Sequence, residues 1–421
     1  MNRNAVGIDV SNGHSTIAVR DISGAIIVPP FDVRHTRKGL VELAERLKEL
    51  TGDTRIVMEH TGRYYESIAN VLHDKGLWVS AVNPLLPKMH GSNSLRNVHT
   101  DKADAKRLAK YALDTWSELR EYNGMDEIRY NLKTLNRQFQ LASKQRTESA
   151  NNLISLLEQS LPGIRKLFDS PPKKDGHQKW VDFVNRFYHA DCIRGVNLKK
   201  FTKLYQKWCK EDKYNFSEEK AAEIYAAAQE MVVLVPMTPL NQLMVQQAAQ
   251  QLTAISCSVE TYRAEMNRLA SQLPEYPVVM EMFAVGQSLG PQLMAEIGDI
   301  TRFAGKQSLV AFAGVDPMPN QSGEKNVRSN KASKRGSPYL RKALFNVMDV
   351  YIKLSPQEEP IYQFLDKKRR EGKPYYVYMT AGANKFLRIY YAKVRDYLRK
   401  LDASDVDNDR NPSPPASSQT C

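Results

Sequence analysis

The first third of the chain alternates short apolar runs with amphipathic stretches. Three runs, "AVGIDVS", "HSTIAVRD" and "AIIVPPFDV", predict strands, and the residues "ISG" predict a turn between the last two. Two stretches with helical periodicity follow, "KGLVELAERLKEL" and "YESIANVLHDKG", and the apolar runs "TRIVMEH" and "LWVSAVNP" predict further strands. The stretch "TDKADAKRLAKYAL" predicts another helix. The pattern therefore predicts an α/β domain over residues 1–124.

Two long stretches in the middle carry apolar residues at heptad spacing. The first begins at Ile128 and includes Leu132, Leu135, Phe139, Ala142, Leu153 and Leu157. The second includes Val245, Ala248, Leu252, Ile255, Val259, Tyr262, Met266 and Leu269. These helices could pair as a coiled-coil hairpin or join two subunits, although a plain helical bundle needs similar spacing. We predict a helical coiled-coil domain over residues 125–272 with a helical insert at about 162–239.

The insert and the last part of the chain also have recognisable patterns. In "KKFTKLYQKWCK" the aromatic residues share one helical face and the lysines lie mainly on the other, where they could follow phosphates or only be solvated. Residues 273–400 predict a mainly helical C-terminal domain, with helices starting at Ser337-Pro338 and near Asn384. The polar, Pro/Ser-rich residues 401–421 predict a disordered tail.

Composition narrows the choice of partner. Lys and Arg number 60 against 47 Asp and Glu, and the resulting net charge of +13 favours nucleic acid, although a basic surface can also serve solubility. The four cysteines have no metal-ligand spacing and do not predict a disulfide framework. No signal peptide or membrane span is predicted. We expect a cytoplasmic, nucleoid-associated prokaryotic protein with no membrane partner.

Four carboxylates stand out in the first domain. The order of its elements is that of ribonuclease H-like folds, in which the first and fourth strands are neighbours and the last helix packs across their ends. Asp9 and Glu59 fall on those strands, and Asp101 and Asp104 share one face of that helix. Converging anions repel unless a cation joins them, and hard oxygen ligands select Mg²⁺ or Mn²⁺. Taken singly, each has a structural explanation, such as an ion pair between Asp104 and Arg107.

Two serines are candidate nucleophiles. "GQSLG" at 286–290 matches a hydrolase nucleophile elbow, but the required downstream histidine is missing because the last histidine is His189. A glycine-rich hairpin near a phosphate, or a tight turn, fits this segment better. Ser322 precedes Gly323 and a series of cations that could hold phosphates: Lys325, Arg328, Lys331, Lys334, Arg335, Arg341 and Lys342. Alone, Ser322 is typical of a turn.

The combined motifs resemble the DEDD transposases of insertion-sequence family 110, which include bridge-RNA-guided recombinases and relatives of the Piv invertase. The resemblance rests on "GIDVS", "MEHTGRYYESIANVL", "VNP" and "TDKADAKRLA", and in the C-terminal domain on "VGQSLGPQLMAEIGDITRFAGKQSLVAFAGVDPMPNQSG" and "SKRGSPYLRKALF". It implies a RuvC-like domain with Asp9, Glu59, Asp101 and Asp104 as Mg²⁺ ligands. It also implies that Ser322 forms a transient phosphoserine with DNA.

The same resemblance implies the partners. They are double-stranded donor and target DNA, a structured guide RNA and further copies of the chain in a dimer or tetramer. Because the C-terminal domain contains no histidine, activation of Ser322 would come from the acidic domain, with His14 and His60 as alternative bases. Three other functions stay open: a metal-only RuvC-like junction nuclease, a non-catalytic nucleic-acid scaffold and an actin-like phosphotransferase.

Overall fold

The computed structural model describes residues 2–60, 64–90, 100–122, 124, 126–316, 321–322, 325–326 and 332–410; at positions 321, 322, 325, 326 and 404–410 it describes the backbone only. These residues form two compact units, Met1–Gly124 and Met125–Cys421. In the described part, none of the helices is long and apolar enough to cross a membrane.

A five-stranded sheet forms the centre of the first unit. Its strands are β1 (Arg3–Val10), β2 (His14–Asp21), β3 (Ile26–Arg34), β4 (Asp53–Glu59) and β5 (Trp78–Val82), in the order β3-β2-β1-β4-β5. The first three strands are antiparallel, whereas β4 and β5 run parallel to β1. The two adjacent prolines Pro29 and Pro30 lie in the edge strand β3, where a missing N–H interrupts fewer ladder bonds. This topology confirms the predicted ribonuclease H-like fold.

Helices cover both faces of the sheet. They are α1 (Arg37–Lys48), α2 (Tyr64–Asp74), α3 (Leu85–His90) and α4 (Asp101–Asp114). Because side chains alternate along a strand, Val6 and Ile8 pack with α1 and α2, while Ala5 packs with α4 on the opposite face. The site described below lies on the α4 face.

Two long helices dominate the second unit, α5 (Glu127–Ser160) and α10 (Pro239–Ala270). Leu132, near the start of α5, shares a cluster with Met266 near the end of α10, and Leu157 shares another with Val245. The helices therefore pack antiparallel along their length. The heptad stripes meet within one chain, which selects the hairpin pairing from the two arrangements that the sequence allowed.

The segment between these helices is itself helical. It contains α6 (Lys179–Arg186), α7 (Asp191–Arg194), α8 (Leu198–Glu211) and α9 (Glu218–Glu230). The aromatic face of α8 is buried, with Phe201, Tyr205 and Trp208 packed among aromatic neighbours such as Phe183. The exposed face carries the lysines, as the periodicity predicted.

The remaining elements follow the long helix pair in sequence. They are α11 (Tyr276–Met280), α12 (Leu289–Ile297), α13 (Lys306–Ala313), the two-residue strands β6 (Gln321–Ser322) and β7 (Lys325–Asn326), α14 (Pro338–Leu354), α15 (Pro360–Arg370) and α16 (Tyr375–Arg410). The helices among them share one hydrophobic cluster with the start of α5 and the end of α10.

The long C-terminal helix differs from the sequence prediction at both ends. It starts at Tyr375 rather than near Asn384, and it continues through Arg410, beyond the predicted domain end at residue 400. Because Gly382 and the aromatic residues before it are not typical of a helix, the sequence pattern did not indicate the first turns of α16. A Cβ at Gly382 would lie 2.4 Å from Leu365 Cδ2 and 2.8 Å from Met348 Sδ, so close packing by α14 and α15 explains a glycine inside this helix. Residues 411–421 of the predicted tail lie outside the described residues.

Candidate active site

Asp9 and Glu59 lie at the carboxyl ends of two neighbouring parallel strands. The register pairs Ile8 with Met58, so the next residue of each strand, Asp9 in β1 and Glu59 in β4, reaches the same edge of the sheet. Alternation places both on the face that α4 covers. Each residue is only partly buried. The sheet thus brings together two carboxylates that are distant in sequence.

Helix α4 approaches β1 closely because Gly7 has no side chain. A Cβ at position 7 would lie 2.1 Å from the carbonyl oxygen of Ala105 and 2.3 Å from the backbone nitrogen of Ala109. The helix begins with Thr100 as its N-cap, whose hydroxyl accepts a hydrogen bond from Ala103 N at 3.3 Å. This crossing brings the first turn of α4 toward the end of β1.

The electrostatics show that the four carboxylates interact. Burial, followed by the charges of Asp104, Asp101 and Glu59, raises the pKa of Asp9 to about 6 from 3.8. Burial likewise raises the pKa of Glu59, and the charge of Asp104 adds to that increase. The charge of Arg107 acts in the opposite direction and lowers the pKa of both Asp9 and Glu59. A raised carboxyl pKa in a polar cluster is characteristic of a site that gains by binding a cation.

Two basic side chains contact the aspartates of α4. Arg107 Nη2 lies 2.8 Å from Asp104 Oδ1, and His14 Nε2 lies 3.6 Å from Asp101 Oδ2. The first contact is an ion pair without hydrogen-bond alignment, because the buried Asp104 Oδ1 has no hydrogen-bond partner among the described residues. The acidic cluster is therefore only partly neutralised by the protein itself.

The donor set fits a hard divalent cation, but the carboxylates do not stand at ligand positions. Oxygen ligands of this kind suit Mg²⁺ or Mn²⁺. Asp104 Oδ1 has no hydrogen-bond partner within the described residues but lies 2.8 Å from Arg107 Nη2, so a cation bound there would have to replace that ion pair. Within the described ranges, no group of three or more His, Cys, Asp or Glu side chains is arranged to hold a metal ion.

The sequence analysis missed a pair of residues beside Asp9. Thr16 lies opposite Asp9 in the β1–β2 ladder, and Asp32 lies opposite Thr16 in the β2–β3 ladder. The Thr16 hydroxyl, which is buried, donates a hydrogen bond of 2.6 Å to Asp32 Oδ1. A fifth carboxylate thus shares the face of the acidic cluster. Had the register of the β2–β3 hairpin been known, the alternation of side chains along "HSTIAVRD" and "PPFDV" would have placed Asp32 on this face.

We expect Asp9→Asn to stabilise the protein in the absence of divalent ions. Because the folded-state pKa of Asp9 is about 6 and the ordinary value is 3.8, wild-type stability decreases as pH rises between these values. The asparagine variant does not lose stability in this way. Its free energy of unfolding should equal that of the wild type below about pH 4 and exceed it by roughly 1–3 kcal/mol near pH 7.

Urea unfolding in chelator at both pH values would measure the stabilisation of Asp9→Asn. Asp53→Asn is the matched control because Asp53 is exposed at the opposite end of β4 from Glu59. A gain of equal size at both pH values, or in the control, would contradict the electrostatic explanation.

Ser322 lies in the second unit, in the short strand β6. Its backbone pairs with that of Lys325 in β7, and Gln321 pairs with Asn326. The two short strands are antiparallel, and the backbone of Lys325 is directly across from that of Ser322.

We call residues 315–333, which contain Ser322, the serine segment. Backbone hydrogen bonds hold its two ends together, and we call this junction the neck. Ser337 N donates to Phe312 O at 2.9 Å and Lys334 N donates to Gly314 O at 3.1 Å. A Cβ at Gly336 would lie 1.9 Å from Phe312 O, and Gly314 has a φ of +67°, so both glycines are required by close backbone contact. A rigid base thus carries the segment that contains Ser322.

The predicted phosphate-binding cations occupy different environments. Lys334 and Arg335 are exposed beside the neck, whereas Arg341 donates hydrogen bonds to the carbonyls of Ala313 and Gly336 at 3.1 and 2.9 Å. Lys342 donates to Gln140 Oε1 at 2.7 Å. Arg328 and Lys331 lie outside the described residues, and Lys325 is described by its backbone only. Arg341 thus holds the neck of the serine segment closed.

Two family models match the chain. The DEDD model described as "Transposase" matches residues 6–162, which includes the whole acidic site. The model described as "Transposase IS116/IS110/IS902 family" matches residues 276–363, which includes Ser322.

Full-length relatives extend the match. A protein of insertion element IS110 from Streptomyces coelicolor is 25% identical over 297 residues, which cover 70% of this chain and 71% of that protein. A protein of insertion element IS116 from Streptomyces clavuligerus is 22% identical, with 93% and 94% covered. The pilin gene-inverting protein of Moraxella bovis is 22% identical, with 82% and 81% covered.

A solved structure of T. thermophilus RuvC in complex with a Holliday junction substrate also matches. It covers 29% of this chain and 99% of that chain, with 11% identity and a TM-score of 0.22.

The strand order, the acidic residues at the strand ends and the matching DEDD model together define the class of the protein. It is a transposase with a RuvC-like domain, an enzyme that acts on DNA. The chain belongs to the insertion-sequence 110 family of transposases.

Proposed function

We propose that the chain is a site-specific DNA recombinase that cuts and rejoins strands through a phosphoserine intermediate. Asp9, Glu59, Asp101 and Asp104 hold Mg²⁺ or Mn²⁺, and Ser322 is the nucleophile. The main support is the pKa of Asp9, which burial first and then the charges of Asp104, Asp101 and Glu59 raise to about 6; a bound cation would relieve this accumulation of negative charge. The two relatives from insertion elements and the pilin gene-inverting protein support recombination as the reaction.

The bound cation would supply charge neutralisation at the scissile phosphate and lower the pKa of a coordinated oxygen nucleophile. The residues of the chain supply the nucleophile and the positive charges around the phosphate. The hydroxyl oxygen of Ser322 forms a bond to phosphorus while the bridging phosphorus–oxygen bond of the DNA strand breaks. The proton of the serine hydroxyl passes to solvent, and the oxygen released from the strand takes up a proton to become a hydroxyl. A hydroxyl of another strand then attacks the phosphoserine, loses its proton to solvent, and releases the serine oxygen, which is protonated again. Exposed Lys334 and Arg335 offset the phosphate charge beside the reacting group.

The proposal includes a structured guide RNA and a homo-oligomer, either a dimer or a tetramer. The family resemblance supports both, and the net charge of +13 is consistent with two duplexes and an RNA as partners. Strand exchange between two duplexes also requires a nucleophile for each strand that is cut, which several copies of the chain provide. Sequencing the nucleic acid that co-purifies with the protein tests the RNA: one dominant structured species is expected.

Removal of the divalent ion tests the proposed function. DNA that carries the ends of the element should be cut in Mg²⁺ to give a covalent protein–DNA adduct, and chelation should lower the rate by about 10³-fold or more, because such ions contribute several kcal/mol of transition-state stabilisation. Denaturing gels with labelled DNA would measure both products. Asp9→Asn should reproduce the effect of chelation and Asp53→Asn should not.

Two outcomes of this experiment would contradict the proposal. Cleavage that persists in chelator, or in Asp9→Asn, would remove the acidic site from the chemistry. Salt-dependent binding without any cleavage by the wild type would favour a non-catalytic scaffold.

A further inference from the structure

A strongly basic turn joins α15 to α16, far in sequence from both candidate catalytic segments. Five cations lie within seven residues: Lys367, Lys368, Arg369, Arg370 and Lys373. Asp366 and Glu371 neutralise two of them, since Arg370 Nη2 lies 2.7 Å from Asp366 and Lys368 Nζ lies 2.8 Å from Glu371. The three others, Lys367, Arg369 and Lys373, are exposed and have no ion pair within the described residues. Three unpaired cations are thus concentrated on one turn.

Two exposed aromatic rings follow the cations directly. Tyr376 is 73% exposed and Tyr375 is 44% exposed. The Tyr375 hydroxyl donates to Asp349 Oδ1 at 2.7 Å, and its ring packs edge-on against those of Tyr376 and Tyr378, with centroids 5.3 and 5.5 Å apart. The ring of Tyr376 also makes a tilted contact with that of Phe345, with centroids 6.4 Å apart. Most of the Tyr376 side chain nevertheless faces solvent.

The backbone holds the cations and the rings close together. Gly372 has a φ of +71° and donates to Arg369 O at 3.0 Å, while Lys373 N donates to Lys368 O at 3.2 Å, which ends α15 sharply. Helix α16 starts at once, as Val377 N donates to Pro374 O at 2.9 Å. Lys373 is therefore within about 10 Å of Tyr376, less than two nucleotides of extended backbone.

We propose that the α15–α16 turn, residues 367–376, binds an unpaired DNA strand. Binding sites for single strands combine two components, which are cations along the phosphate chain and exposed aromatic rings on which bases stack. The faces of bases in a duplex are already stacked on each other, so a solvent-facing ring such as Tyr376 has a partner only where a base is unpaired. The inference uses the DNA activity of the family but depends on neither Ser322 nor the acidic site.

Binding of a fluorescent deoxythymidine oligomer of about twelve nucleotides tests the ring, because single-strand sites span roughly 4–16 nucleotides. By fluorescence anisotropy, Tyr376→Ala should weaken binding by about 5- to 150-fold and Tyr376→Phe should retain it, since stacking needs the ring and not the hydroxyl. Tyr130→Ala, at a 39% exposed tyrosine of α5, is the matched control. A duplex of equal length should bind Tyr376→Ala as it binds the wild type.

A charge variant tests the cations. The triple substitution Lys367→Ala, Arg369→Ala and Lys373→Ala should lower the slope of log K against log salt by about 2, the value for three phosphate contacts to a single strand. The control is Lys75→Ala, Lys166→Ala and Lys174→Ala, three exposed lysines outside the proposed binding segments whose removal changes the net charge equally. A similar decrease in the control would mean that only overall charge matters and would overturn the proposal.

Three other outcomes would also overturn the assignment. They are a loss in Tyr376→Phe equal to that in Tyr376→Ala, an equal loss for the duplex, and a larger loss for a uridine oligomer than for the deoxythymidine oligomer. The last would indicate RNA as the occupant. DNA cleavage is measured in a separate experiment. A wrong assignment of the acidic site or of Ser322 would therefore leave these binding results unchanged.

Discussion

Ser322→Ala should eliminate the covalent protein–DNA adduct while leaving nucleic-acid binding at wild-type strength. The substitution removes one oxygen atom, and the backbone pairing of Ser322 with Lys325 does not depend on that atom. Without the hydroxyl no phosphoserine can form, so we expect adduct below detection in a denaturing gel. Binding measured by anisotropy should change by less than about twofold, because the substitution removes none of the positive charges that attract the phosphates.

Ser329→Ala is the matched control for this experiment, because Ser329 lies in the same segment of the chain. It should form the adduct as the wild type does. An adduct that persists in Ser322→Ala would show that another residue is the nucleophile. Cleavage by Ser322→Ala without an adduct would favour the metal-only junction nuclease, in which water attacks the phosphate.

Glu296→Ala should destabilise the second unit by about 3–5 kcal/mol, the usual cost of breaking a buried ion pair. The Glu296 side chain is 1% exposed and its oxygens lie 2.6 and 3.0 Å from the guanidinium nitrogens of Arg137. It also accepts hydrogen bonds from Asn136 Nδ2 at 2.6 Å and from the Ser337 hydroxyl at 2.9 Å. Removal of the carboxylate leaves all these donors without their acceptor.

Urea unfolding followed by circular dichroism would measure the loss in Glu296→Ala. Glu296→Gln should cost less, because its amide oxygen still accepts one of the two hydrogen bonds, from Asn136 or from Ser337, although the amide nitrogen cannot accept the other and the charge opposite Arg137 is lost. The control is Glu265→Ala, which breaks an exposed pair with Arg268 and should cost less than about 1 kcal/mol. Equal losses in the two alanine variants would show that the buried network contributes little to stability.

The same network connects the segment that contains Ser322 to the long helix pair. Ser337 is the N-cap of α14, where its hydroxyl accepts a hydrogen bond from Leu340 N, and it closes the neck by donating its N–H to Phe312 O. Through Glu296 this residue is joined to Arg137 of α5. We therefore expect Glu296→Gln to slow adduct formation as well, since a looser neck positions Ser322 less accurately.

The sequence predicted the acidic domain in detail because its signals are local. Strands and helices in this domain show as periodicity over a few consecutive residues, and the order of the elements then determines which strands can be neighbours. Asp9 and Glu59 could be assigned to strand ends from "GIDVS" and "RIVMEH" alone. The contribution of Thr16 and Asp32 could not be, because it depends on hairpin register, which a single residue of slippage reverses.

In the second unit, local pattern was a weaker guide. The start of α16 was misjudged because Gly382 is a poor helix former, and only packing by Leu365 and Met348 explains it. Helix α15 of this unit was not singled out, nor was the short helix α3 of the first unit. The positions of Lys325, Arg341 and Lys342 in a basic run suggested one shared role, yet Arg341 holds backbone carbonyls and Lys342 contacts Gln140.

By itself the amino-acid sequence determined the fold class, the order of secondary structure and the candidate chemical groups, since each of these is written in neighbouring residues. Only the tertiary structure decided that the two heptad helices pair within one chain, that Gly7 admits α4 to the end of β1, and that Glu296 links α5 to the neck of the serine segment. Such contacts join residues that are many positions apart. Their selection depends on complementary shape and on the burial of charged groups with partners, which no local pattern encodes.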